Sequence, residues 1–134
     1  MTEITIPYHL VIPTILCIAS LLIILFARKK LFSDNKTKIL WITVIVFLSI
    51  YLLIVGCATF DDIFYQWDIN RYDLDKDGFF SQNEITKEQE AAMLRLTSDT
   101  GRNLSFITGL IFSLIISTGV FFALLSLLKP KKQY

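Results

Sequence analysis

The run Asp73-Leu74-Asp75-Lys76-Asp77-Gly78-Phe79-Phe80-Ser81-Gln82-Asn83-Glu84 concentrates this sequence's oxygen donors. Asp73, Asp75 and Asp77 alternate, so in a tightly curled chain their carboxylates can converge on one side. Gly78 permits a sharp turn that a residue with a β-carbon makes only at a cost. Converging carboxylates suit a hard divalent cation, which takes roughly six to eight oxygens at 2.3–2.6 Å. No other chemistry competes with metal binding. The chain holds no H-E-x-x-H, nucleophile elbow or glycine-rich phosphate loop. Its only histidine, His9, stands beside Pro7 and Tyr8 and reads as an interfacial anchor. An enzyme is not expected.

The same run resembles the calcium-binding loop of the EF-hand family, whose pattern is D-x-[DN]-x-[DN]-G, five residues, then E, and it fits at every diagnostic position. The resemblance implies Ca2+ as the ion. It also implies a ligand set of Asp73, Asp75, Asp77, the Phe79 carbonyl, Ser81 (often through a water) and both oxygens of Glu84. It covers the loop and its flanks, residues 60–97. On the entering side Phe60, Ile63, Phe64 and Trp67 fall at i, i+3, i+4, i+7, the spacing of one helix face. On the exiting side Ile85, Ala92, Met93 and Leu96 are apolar, with polar Glu88 and Gln89 where the family usually places apolar residues. Ser81-Gln82-Asn83-Glu84 is also a capping box, which starts the exiting helix at Gln82 and carries it to Thr97. EF-hands usually pair through the eighth loop position, here Phe80. This chain has one such loop, so Phe80 is a candidate contact for a second copy or a membrane-protein partner, unless it folds into the hairpin's own core.

The elements that must hold this loop are apolar. Of 134 residues, 54% are hydrophobic and 19% charged, with mean hydropathy +0.57; about 25% charged is usual for soluble domains. That excludes a disordered chain. The absence of a basic stripe interleaved with aromatics argues against nucleic acid as a partner. The two cysteines, Cys17 and Cys57, sit in different apolar runs and at different depths, so no disulfide framework is expected. Three runs without Asp, Glu, Lys or Arg, 8–27, 39–60 and 104–128, match the roughly 20 apolar residues that cross a bilayer as helix. The fold class is therefore an all-α membrane protein. It comprises three transmembrane helices in a single unit, 1–134, with the EF-hand hairpin 61–102 between the second and third. No helix breaker separates Ile39 from Tyr72, so the second span is expected to run straight into the entering helix. Gly101 reads as the cap that ends the returning helix.

Orientation follows from positive charge. The segment 28–38 carries Arg28, Lys29, Lys30, Lys36 and Lys38 against Asp34, and the tail 129–134 carries Lys129, Lys131 and Lys132 without an acid. Both are expected on the cytoplasmic side, which leaves the amino terminus and the hairpin outside. The basic cluster follows the first apolar run, the reverse of a secretory signal, so that run reads as a retained helix. Short tails fit a bacterial inner membrane. Ser105, Gly109, Ser113 and Ser117, spaced by four, form a small-residue face for close helix packing, within the chain or against another subunit. The expected function is a calcium-responsive or calcium-stabilised accessory module of a membrane assembly in the lipid bilayer. The alternatives are a small oligomeric channel or transporter component regulated by external calcium, and a structural scaffold.

Overall fold

The computed structural model describes residues 4–81 and 84–127, apart from the side chain of Asn35. Four helices form in order: α1 (Tyr8–Leu31), α2 (Asn35–Asn70), α3 (Lys87–Thr97) and α4 (Thr100–Leu127). No strand occurs among the described residues. Three helices are long and apolar enough to cross a membrane. Leu128, the tail 129–134, Gln82 and Asn83 lie outside the described residues.

α1 runs past the expected end of its apolar stretch and takes Arg28, Lys29 and Lys30 into its last turn, where cations complement the helix dipole. The basic segment 28–38 is therefore mostly helical, and only Phe32–Asp34 separates α1 from α2. Asp34 caps α2 by accepting the Lys36 N–H at 3.2 Å.

α2 is unbroken over 36 residues, about 54 Å at 1.5 Å per residue. That exceeds the roughly 30 Å of a bilayer's hydrocarbon, so α2 runs without a break from the second apolar run to the residues just before the loop, as expected. Continuity also fixes which face of that helix turns inward. Tyr51, Val55 and Ala58 join Leu10 and Cys17 of α1 in the buried core. The same face continues upward as Asp62 and Ile69, both buried. The stripe Phe60, Ile63, Phe64 and Trp67, the apolar helix face read on the entering side, consequently points outward. Phe60 is 67% exposed and Trp67 49%, and Phe64 contacts both rings at about 6 Å. Packing of the middle of α2 against α1, rather than the spacing of residues near the loop, decides the rotation of the whole helix.

α4 lies along α2 with its small-residue face inward. Ser105, Gly109, Ser113 and Ser117 are all buried. A β-carbon at Gly109 would sit 2.9 Å from Ile54 Cγ2 and 3.5 Å from Tyr51 Cδ2, so glycine is what lets the two helices touch there. Tyr51 Oη donates to the Phe106 carbonyl at 3.0 Å, closing the same contact. α1 reaches α4 at the hairpin end, where the His9 ring meets Phe106 edge-on at 5.7 Å.

Two boundaries differ from expectation. The exiting helix starts at Lys87 instead of Gln82. The Glu84 and Ile85 N–H groups both donate to the Ser81 carbonyl, closing one turn, and Thr86 is then extended at φ −113, ψ 166. Thr86 caps α3 by accepting the Gln89 N–H at 3.2 Å. Thr86-Lys87-Glu88-Gln89 is a second box of the same type, and it wins. Gly101 does not end the returning helix. α3 closes at Ser98 in the right-handed region, Asp99 Oδ1 accepts the Arg102 N–H at 2.9 Å, and Gly101 lies in the first turn of α4.

Candidate metal centre

α2 delivers the chain to the loop through a tight exit, with the Arg71 and Tyr72 N–H groups still bonded to the Asp68 and Ile69 carbonyls. Asp73 and Glu84, at the two ends of the loop, are 5% and 4% exposed. Glu84 gathers the backbone around it. Its Oε1 accepts the N–H groups of Leu74 at 2.6 Å and Asp75 at 3.3 Å, and its Oε2 accepts that of Ser81 at 2.9 Å. Asp73 Oδ2 accepts the Gly78 N–H at 3.2 Å, and Asp75 Oδ1 accepts that of Asp77 at 3.2 Å. Two backbone positions curl the loop through the left-handed region, Lys76 at φ 60 and Gly78 at φ 89. The second is where the glycine was expected to turn the chain.

This curl brings Asp73, Asp75 and Glu84 together, with one carboxylate oxygen of each within 4.8 Å of the others. Oxygens that share one ion at 2.3–2.6 Å lie at most about 4.6–5.2 Å apart, so the separation fits a common hard cation. Asp77 stands outside this group. It is exposed, and its Oδ1 accepts the Phe79 N–H at 2.7 Å. Phe79 is 78% exposed and Ser81 is also exposed, while Phe80 is half-buried. Three of the four expected carboxylate ligands are thus gathered, and Asp77 is the one that is not.

The electrostatics follow from these contacts. On Asp75 the Asp77 N–H pulls the carboxyl down. Desolvation and the neighbouring Asp77, Glu84 and Asp73 charges outweigh that bond and leave it above the usual carboxylate range. Glu84 is held below its ordinary value, first by the Ser81 N–H, with the Leu74 and Asp75 N–H groups adding to it against desolvation and Asp73. The two carboxyls are thus shifted in opposite directions, Glu84 down by the N–H groups it gathers and Asp75 up.

No protein-family model, curated protein or solved structure matches this chain.

A second set of polar side chains, unmarked in the sequence reading, ties the hairpin's foot to the helices below. Arg102, in the first turn of α4, pairs with Asp62 of α2 at 3.1 Å. Its Nη2 donates to the Leu96 carbonyl at 2.6 Å and its Nη1 to the Arg95 carbonyl at 3.4 Å, so it also caps the end of α3. The guanidinium lies 5.1 Å from the Tyr65 ring centre. Asp62 Oδ2 accepts Gln66 Nε2 at 2.8 Å, and the Gln66 amide clasps Thr5 at both its N–H (2.7 Å) and its carbonyl (2.9 Å). One network therefore joins the amino-terminal segment, α2, α3 and α4. A signal for it was present: Asp62 and Arg102 stand just outside the second and third apolar runs with opposite charge.

Proposed function

We propose that this chain is a calcium-binding integral membrane protein whose EF-hand hairpin stands outside the cytoplasm on the second and third spans. It serves as a calcium-stabilised accessory module of a membrane assembly in a cell membrane, with the inner membrane of a bacterium as the proposed setting. The amino terminus lies on the hairpin's side and the carboxyl terminus in the cytoplasm. The observation that carries this reading is the approach of Asp73, Asp75 and Glu84 oxygens to within 4.8 Å, in a loop whose residue pattern is that of a calcium site.

The ion's contribution follows from charge. It offsets the desolvation and the neighbouring carboxylate charges that together raise Asp75, and gives Glu84 a partner stronger than backbone N–H groups. Asp77, the Phe79 carbonyl and Ser81 complete the oxygen set around the ion. Glu84 stands on the turn that leads to the Thr86 cap of α3, and the far end of α3 rests on Arg102 of α4. Loop closure therefore acts on α3 as a lever whose other end is fixed to the third span. Phe80 is the loop residue placed to meet a second copy or a partner protein. The apolar runs carry no Asp, Glu, Lys or Arg, and their one histidine, His9, lies at the very start of the first; charged intramembrane groups are what usually mark ion pathways, so an accessory role is favoured over a channel.

Trp67 reports on this hairpin, with Arg71 5.2 Å from its ring centre beside the loop. In a Trp41→Phe background, calcium titrated into the purified chain is expected to change Trp67 emission with saturation. Magnesium at equal concentration is expected to give a smaller change. An emission unaltered by millimolar calcium would count against the reading.

A further inference from the structure

We propose that the groove between α1 and α2 at the basic end of the bundle binds an acidic phospholipid, with an acyl chain along the groove and the phosphate on Arg28. This rests on the membrane-spanning reading of the helices and is independent of the calcium loop.

The groove measures about 420 Å³ and is walled by aliphatic side chains, among them Ile18, Leu22 and Leu25 of α1 and Ile45 and Leu52 of α2. Arg28 is its only polar lining residue. Along α1 the lining extends from Ile18 to Arg28, about 15 Å of helix at 1.5 Å per residue. That is half of a hydrocarbon core of about 30 Å, the depth of one leaflet. The cation thus stands where a headgroup lies when its chain occupies the wall below.

Charge selects the headgroup. Arg28, Lys29 and Lys30 are exposed on the last turn of α1, and Lys36 and Lys38 begin α2 across the short connection. Asp34 is the one acid among them, and its carboxylate is engaged as the cap of α2. A guanidinium binds phosphate oxygens in a two-pronged fashion, and basic pockets between membrane helices favour anionic lipid headgroups. Two further grooves open on this half of the bundle, about 360 and 580 Å³, and neither has a charged lining residue. They offer apolar room without a reason to prefer one headgroup. A second parallel copy is a poorer occupant of the Arg28 groove, since it would bring an identical cationic turn against this one.

The test uses the purified full chain in detergent. It is supplied with phosphatidylglycerol and phosphatidylcholine of identical acyl chains, and retained lipid is read by native mass spectrometry. The wild type is expected to keep the acidic lipid at least about fivefold better, the preference that one near-surface cation confers. Arg28→Gln is expected to bring the two lipids toward parity. Leu22→Trp, which fills the wall and leaves the charge, is expected to lower retention of both. Arg71→Gln, at the hairpin end, is expected to behave as wild type. Equal retention by the wild type, or a preference that survives Arg28→Gln, overturns the proposal. So does a Leu22→Trp chain that changes its dimer fraction while holding lipid as before, because the groove would then belong to a second copy. A chain extracted from vesicles by alkaline carbonate would instead defeat the membrane-spanning reading itself.

Discussion

Arg102 and Asp62 meet at 3.1 Å with their side chains only 2% and 10% exposed, and the same guanidinium holds the last carbonyls of α3. One arginine in α4 therefore serves both as ion-pair partner to α2 and as cap of α3. Removing one member of a buried pair strands the other, at a cost of about 3–5 kcal/mol. Arg102→Met and Asp62→Asn are each expected to lower the unfolding temperature of the solubilised chain markedly. The double variant Asp62→Leu/Arg102→Met is expected to lose less than the two single losses together, since no charge is then left buried. Additive losses would mean that the pair acts as two unrelated side chains.

Gly109 tests the packing of α4 on α2. Gly109→Ala places a methyl 2.9 Å from Ile54 Cγ2, and overpacking of this kind costs about 1–3 kcal/mol. Gly119→Ala meets nothing within 4 Å and is expected to be neutral. Thermal unfolding of the two variants side by side checks the contrast, and Ile54→Ala, which removes the Cγ2 that the new methyl meets, is expected to cost less in the Gly109→Ala background than alone.

The start of α3 makes a separate prediction. With Thr86 as the cap, Thr86→Ala is expected to cost about 1 kcal/mol and to speed amide exchange at Gln89, whose N–H the Thr86 hydroxyl accepts. Ser81→Ala is expected to leave that exchange unchanged. The opposite ranking would restore a helix beginning at Gln82.

The two loop carboxyls should titrate in opposite directions from ordinary values of about 3.9 for Asp and 4.3 for Glu. Glu84 is lowered in the folded loop, so its stabilisation is fully present above the ordinary glutamate value and is lost as pH falls through its lower folded one. Asp75 is raised, so the ion-free fold gains from its protonation as pH falls, and calcium affinity starts to weaken at a higher pH than an isolated aspartate would dictate. Carbon-detected titration of the side-chain carboxyls without metal checks both. A Glu84 midpoint at or above the ordinary value would contradict the backbone bonds that hold it.

The helices were legible in the sequence because apolar length is a local property: runs 8–27, 39–60 and 104–128 each fall within a helix as far as the described residues extend. The uninterrupted passage from span to hairpin was equally visible, as a stretch without a breaker. The inward turn of Asp62 in place of Phe64 was not visible, because rotation is set by Tyr51 and Val55 a few turns below. Two capping boxes lay in series, and local pattern could not rank Ser81-x-x-Glu84 against Thr86-x-x-Gln89. Glu84 instead spends its carboxylate on the Leu74, Asp75 and Ser81 N–H groups. The opposite charges of Asp62 and Arg102 at the ends of two apolar runs were visible, but their contact joins distant parts of the chain, which spacing does not encode.

Calorimetry of calcium binding to the intact chain in detergent, wild type beside Glu84→Gln, tests the central claim most directly. The expected result is one ion per chain, with a dissociation constant near 10⁻⁴–10⁻³ M, the range of about three to four decades below molar typical of extracellular sites, and heat abolished by Glu84→Gln. No heat from the wild type at millimolar calcium, or equal heat from the variant, would contradict it.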